Sequence, residues 1–133
     1  MRTIKFRGKD SNGNWRYGSL IQYKSGETAI AKFSRYGYEC SEMKRTLVDP
    51  ATVGQFTSLY DKNHNEIYEG DILAVQGIDE KLEVRFVRGV FAFLWNGNLD
   101  DEFPTGSPTH EWAEVVGNIN DNFDLLKKGD RND

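Results

Sequence analysis

Apolar and polar residues alternate with period two along Thr3-Ile4-Lys5-Phe6-Arg7, and again along Leu82–Val87 and Val90–Trp95. That period puts every second side chain on one face of an extended chain, so it selects half-buried strands over helices. Glycine corners cut the pattern into short pieces. Asp10-Ser11-Asn12-Gly13-Asn14 reads as a turn, because Asn-Gly takes the positive φ angles a hairpin needs, and Trp15 to Tyr23 is the returning strand. Arg88-Gly89 sits between two clean alternations as a second hairpin corner.

The remaining segments follow the same logic. Thr28 to Phe33 reads as a third strand, and Ser34 to Leu47 as an irregular loop followed by a short strand. Asp49-Pro50 breaks the pattern, since a residue before proline is pushed away from helix. Thr52 to Thr57 is extended, Asp61 to Glu66 is a polar turn, and Glu69-Gly70-Asp71 is a corner before Ile72-Leu73-Ala74-Val75. Asn96 to Thr109 is a Gly-, Pro- and Asp-rich loop, and Trp112 to Ile119 the last strand. Asp121 to Lys127 forms one short helical turn, with Asp121 as cap and Lys127 and Lys128 near its carbonyl end; the tail 129–133 frays. The expectation is a mainly β fold: five or six short strands after residue 50 in a small curved sheet or barrel, the opening strands in a second sheet, and a minor C-terminal helix. Within one domain, 1–133, the subdomains are 1–48, a β-sheet region, and 49–128, the barrel.

Composition bounds the compartment and the chemistry. At 133 residues with 13% aromatic side chains, the chain can bury a core without staples. Its one cysteine, Cys40, leaves no internal disulfide and no cysteine zinc cluster. Charges in Met1–Arg7 stand where a signal peptide needs an apolar run, and no stretch approaches the roughly 20 apolar residues of a membrane span. The expected location is the reducing cytoplasm of a bacterial host cell, with no membrane partner. The net charge of −4 is unevenly spread. Residues 1–45 hold ten basic side chains (Arg2, Lys5, Arg7, Lys9, Arg16, Lys24, Lys32, Arg35, Lys44 and Arg45) against four acids, a net of +6. The rest carries seven basic and seventeen acidic residues, a net of −10. Such a dipolar chain can bind a polyanion through its first third or pair head to tail with its own copies.

Three segments resemble the phage- and prophage-borne YopX family. They are the opening Ile4-Lys5-Phe6-Arg7-Gly8-Lys9 with Trp15-Arg16-Tyr17-Gly18-Ser19-Leu20, the centre from Val48-Asp49-Pro50-Ala51-Thr52 through Glu69-Gly70-Asp71-Ile72, and the close Glu114-Val115-Val116-Gly117-Asn118-Ile119 with Asn122 and Leu125-Leu126. Ala29 to Thr46 and Asp79 to Thr109 follow the pattern least. His64 stands where the family turn has glycine, with Asn63 and Asn65 able to supply the turn geometry. The resemblance implies a phage or prophage accessory protein whose β fold includes a small SH3-like barrel. It implies no activity, no cofactor, and no catalytic or metal residue.

Each candidate site has a plain structural alternative. Glu69 and Asp71, two apart on an extended segment, share a face and could converge for acid–base chemistry, but Gly-Asp at a strand entrance is ordinary turn chemistry. Asp61-x-Asn63-x-Asn65 and Asp10-x-Asn12-x-Asn14 mimic the opening of a calcium loop yet lack its glycine and its closing glutamate. His110-Glu111-Trp112-Ala113-Glu114 lacks the second histidine of a zinc-protease helix, and His64 and His110 are the only histidines. Cys40 has no local partner for nucleophilic chemistry. The expected function is therefore non-enzymatic: an interaction or self-assembling module, a homo-oligomer included. The alternative is a nucleic-acid-binding module. It would combine the ten early basic residues with Phe6, Trp15, Tyr17, Tyr23, Phe33, Tyr36 and Tyr38, with Arg35-Tyr36-Gly37-Tyr38 as the exposed cluster. The same aromatics on alternating strands also simply fill a small β core.

Overall fold

The computed structural model describes residues 2–36, 40–104 and 108–126, with the side chains of residues 33–36 and 40–42 outside that description. Ten strands are present among those residues: β1 (Phe6–Lys9), β2 (Trp15–Gln22), β3 (Thr28–Tyr36), β4 (Cys40–Val48), β5 (Gly54–Tyr60), β6 (Glu66–Tyr68), β7 (Asp71–Val75), β8 (Ile78–Val87), β9 (Val90–Trp95) and β10 (Ala113–Asn118). One sheet has the order β4-β3-β2-β1-β5-β6, the other β10-β7-β8-β9; the pairs β1–β2, β1–β5, β2–β3, β3–β4, β7–β8, β8–β9 and β7–β10 are antiparallel. The fold is mainly β. The chain divides into two compact units, Met1–Phe56 and Thr57–Asp133, at a point inside β5.

Unit 1 is a meander clipped at its base. β1 pairs with β2 from Phe6↔Gly18 to Lys9↔Trp15, and Asp49-Pro50-Ala51-Thr52 folds back on the end of β1. Asp49 N donates to Lys9 O at 2.8 Å, Lys9 N donates to Thr52 Oγ1 at 2.8 Å, and the Asp49 carboxylate caps Ala51 N at 3.0 Å. Pro50 therefore opens a short 3-10 turn, Pro50–Thr52, for which its fixed φ is suited. Gly8 lets Val48 lie on the strand: a Cβ there would stand 2.9 Å from Val48 Cγ2.

Strand β4 is the largest departure from expectation. Where an irregular loop and a short strand were expected, nine residues pair with β3 in unbroken register, Thr28↔Val48 to Tyr36↔Cys40. β4 is an edge strand with Lys44, Arg45 and the exposed Met43 and Leu47, so it lacks the one-sided apolar alternation that marks a half-buried strand. Charged edges are how sheets avoid further pairing, and they erase the strand signal at the same time.

Unit 2 is built around Ile67, Leu73, Leu82, Val84, Phe93 and Ala113, all at most 2% exposed. Trp95, Phe103 and Trp112 close over them, joined to one another and to Phe93 by edge-to-face and tilted ring contacts 4.7–5.7 Å apart. The β8–β9 corner is as the sequence indicates, Arg88 and Gly89 both at positive φ (50° and 81°) between paired Val87 and Val90. The sheet, however, stays open, and no closed barrel forms among the described residues. Both of its edges are already occupied. The outer edge of β9 is met by residues 101–103, with Phe103 N on Phe93 O at 2.8 Å and Trp95 N on Asp101 O at 3.0 Å. The outer edge of β10 is met by Lys62 N on Ala113 O at 2.9 Å and by the Asp61 carboxylate on Val115 N at 2.9 Å. Closure would need those two edges for each other.

Two short helices complete the unit. A single turn of helix, α1 (Thr109–Trp112), takes the residue where the last strand was expected to start, so β10 begins at Ala113. The expected C-terminal helical turn is a 3-10 turn, Phe123–Leu126, held by Leu125 N on Asn122 O; Lys127, Lys128 and the tail lie outside the described residues.

Gly18 has no room for a side chain. Its φ is 156°, and a Cβ there would run into the Ala31 carbonyl oxygen of β3, a backbone atom that cannot swing aside. Gly18→Ala is expected to cost at least about 2 kcal/mol in chemical denaturation. Gly26→Ala, at positive φ but facing open space, should cost only about 1 kcal/mol.

Candidate functional site, a cationic groove at a strand fork

The groove arises from how β2 divides its pairing. Its first half, Trp15–Gly18, pairs with β1; its second half, Ser19–Gln22, pairs with Ala31–Thr28 of β3. Beyond Ser19↔Ala31 the β2–β3 ladder stops, and β3 continues to Tyr36 with β4 as its partner. Gly18 sits at that fork, where β2 presses against Ala31. The wedge is a cavity of about 170 Å³ lined by Trp15, Arg16, Tyr17, Ile30, Lys32, Lys44 and Thr46.

Its lining is cationic, with the Asp10 carboxylate paired to one of its three cations. Lys32 and Lys44 are direct cross-strand partners. Residues so placed have Cβ atoms about 5 Å apart, and like charges there destabilise a sheet. Both are exposed, and neither has a carboxylate partner among the described residues. Arg16 supplies a third cation; its Nε donates to Asp10 Oδ2 at 2.8 Å, which anchors the side chain. Trp15 is half-buried beneath the Arg7 guanidinium, 4.5 Å from its ring centroid, with Lys9 Nζ at 5.4 Å. Tyr17 is 44% exposed, Ile30 forms an apolar floor, and Thr46 contributes a hydroxyl. Such a surface can hold an anion and an apolar or aromatic neighbour of that anion.

Three of the acidic candidates, Asp71, Asp10 and Asp61, are taken up by the scaffold. Asp71 is 2% exposed, and its Oδ2 accepts from Tyr68 N at 2.7 Å across Gly70, which is at φ 94°. Glu69–Gly70–Asp71 is thus a turn closed by a carboxylate. The two calcium-loop mimics form one loop design used twice. Asp10 Oδ1 accepts from Asn12 N and Asn14 N, and Asp61 Oδ1 from Asn63 N and Asn65 N, all at 2.8–2.9 Å. In each loop the aspartate N–H reaches the second asparagine's carbonyl, and the fourth residue, Gly13 or His64, takes positive φ (80° and 67°). His64 itself adopts the left-handed geometry; its neighbouring asparagines do not supply it. The second oxygen differs: that of Asp10 takes Arg16, and that of Asp61 takes Val115 N and Asn65 Nδ2.

Both carboxyls sit below the usual carboxylate range. For Asp10 the hydrogen bond from Asn14 N and the Arg16 guanidinium lead. For Asp61 burial pushes upward, and the bonds from Val115, Asn65 and Asn63 outweigh it. His64 and His110 are both exposed, and no group of three or more His, Cys, Asp or Glu among the described residues is placed to hold a metal ion. The side chains of Phe33, Arg35, Tyr36 and Cys40, and all of Gly37 and Tyr38, lie outside the described residues. Among the described residues no helix is long and apolar enough to cross a membrane.

Sequence reasoning placed Arg16, Lys32, Lys44, Trp15 and Tyr17 in one basic, aromatic third but did not bring them to a common point. Ile30 and Thr46 were missed, because nothing in a lone isoleucine and threonine marks a groove wall. The missing signal was the register of β4.

A family model for the YopX protein matches residues 5–127. The chain belongs to the YopX family. It is also similar in structure to a crystal structure of protein EF1440 from Enterococcus faecalis, with a TM-score of 0.64 and 22% identity over 96% of this chain and 100% of that one, a likeness of fold alone. No curated protein matches the chain.

The segments that carry the YopX resemblance are mostly structural. Gly70-Asp71 and Gly117-Asn118-Ile119 meet: Asp71 pairs with Asn118, and Ile119 N donates to Gly70 O at 2.8 Å. Asn122 Oδ1 in turn accepts from Asn118 N, and a Cβ on Gly117 would fall 2.6 Å from it. Two outcomes follow for the paired loops. His64→Gly should stabilise the YopX chain by about 1 kcal/mol in denaturant titration, by relieving left-handed strain. Asp61→Asn should cost about 2 kcal/mol at pH 7, because either amide orientation sets an NH₂ group against N–H donors. Since the folded carboxyl is depressed, Asp61's charge-dependent contribution is complete above about pH 5 and fades as pH falls through the ordinary value near 3.9 and below. The gap between wild type and variant should narrow over that range.

Proposed function

We propose that this YopX family protein is a non-enzymatic binding module whose working surface is the fork groove of unit 1, and that it takes an anionic group carried on a larger molecule. The observation behind this reading is the Lys32–Lys44 pair. A fold gains nothing by setting two lysines directly opposite each other with no counter-charge among the described residues, but a surface that receives an anion gains both. The cavity, at about 170 Å³, is also well below the roughly 300–1,000 Å³ of sites that enclose a small molecule, so it suits one unit of an extended ligand. The carboxylates of Asp10, Asp61 and Asp71 are engaged in turns, which supports a role without chemistry. A phage or prophage accessory role, as the family resemblance implies, accommodates such a module.

Self-assembly is the second reading, favoured by charge. Unit 2 carries sixteen acidic against seven basic residues, so an acidic surface of a second copy is one possible occupant of the groove. Light scattering at micromolar concentration across a salt series separates the two: salt-sensitive oligomers support assembly, and a monomer at low salt rejects it.

The groove itself is tested by reversing one charge. Lys44→Glu turns a cross-strand repulsion into an attraction, so it should stabilise the fold by about 0.5 kcal/mol while abolishing binding of inorganic polyphosphate. Wild-type protein that ignores polyphosphate at low salt, or a Lys44→Glu variant that binds it as well as wild type, would overturn the reading.

A further inference from the structure

We propose that the fork groove binds single-stranded nucleic acid, with the phosphate chain held by Lys32, Lys44 and Arg16 and an unpaired base stacked on Tyr17. This rests on the anion-binding reading above and names the ligand for it. Three features select this class. The cations lie on both sides of a cleft between strands β2 and β3–β4, so a chain of regularly spaced negative charges can run along it. Beside them stand Tyr17, 44% exposed, and Trp15, whose ring already carries a guanidinium on its face. An acidic peptide would use the lysines but has no planar group to lay on an exposed tyrosine ring, whereas a nucleotide offers a phosphate and a planar ring a few bonds apart. Paired bases present no free face within a duplex, so an exposed tyrosine at the wall of a small cleft selects an unpaired strand. The apolar floor at Ile30 and the Thr46 hydroxyl fit a sugar better than a second charge.

The strand fork explains why the site is here. At the fork the sheet's own ladder stops at Ser19↔Ala31, and the two arms diverge with different neighbours. A groove results without any helix or long loop. Gly18 holds the arms together at its closed end.

The test is fluorescence anisotropy with a labelled oligothymidylate, a hairpin duplex of matched length and a poly-glutamate peptide, each across a salt series. With three cations on the strand, affinity for the oligothymidylate should fall about twentyfold between 50 and 200 mM salt. Tyr17→Ala should weaken that binding at least about fivefold, and Tyr17→Phe, which keeps the ring, should restore it. Polyphosphate binding should be the same in Tyr17→Ala as in wild type, which also shows that the variant is folded. Duplex or poly-glutamate binding as tight as the oligothymidylate, or a Tyr17→Ala variant that binds the strand unchanged, overturns this inference while leaving anion binding in place. Loss of polyphosphate binding in the wild type removes both.

Discussion

The buried carboxylate of Asp61 is the interaction on which unit 2 depends most. With no exposed surface, it accepts from Asn63, Asn65 and Val115, and so holds its own loop closed while fastening that loop to β10. The flanking bonds repeat the connection, Lys62 N to Ala113 O and the Thr109 hydroxyl to Tyr60 O. A buried carboxylate is costly unless fully satisfied; here four N–H donors converge on it, and the result is a rigid corner and a sheet that cannot close on itself. Unit 1 uses the same loop at Asp10, but spends the second oxygen on Arg16, a side chain of the groove. One device therefore serves architecture in one unit and positions a charge in the other.

This division separates scaffold from surface. The residues through which the chain resembles YopX proteins, Gly8, Asp49-Pro50, Gly70-Asp71 and Gly117-Asn118, clip strands, cap turns or make room for a neighbouring side chain. The groove draws Lys32, Lys44 and Thr46 from Ala29–Thr46, outside the segments that carry the resemblance. A family signature made of turn chemistry identifies a fold readily and says little about what the fold holds.

The sequence showed most of what local physics decides. Period-two alternation and Gly-containing corners located β2, β3, β8 and β9, and the Arg88-Gly89 hairpin formed as its two positive φ angles require. The turn reading of Glu69-Gly70-Asp71 matches the Asp71 bond to Tyr68 N. What was illegible depended on pairing. β4 carries charges at an edge, so its own residues do not announce a strand; only the register with β3 does. The groove inherits that difficulty, since Lys32 and Lys44 are twelve residues apart and meet only through this register. The expected barrel failed for a related reason: the segments that occupy both sheet edges, 101–103 and Asp61-Lys62, lie in loops whose polar composition gives no hint of docking.

The fork also gives the groove walls unequal stiffness. The wall from β2 belongs to a strand laddered to β1 and rooted in the Asp10 loop, while the far wall ends in β4, which has a neighbour on one side only. Displacing the outer wall strains a single ladder, whereas moving the inner one works against a ladder and a carboxylate-braced loop together. The cleft therefore has one wall braced on two sides and one wall braced on a single side.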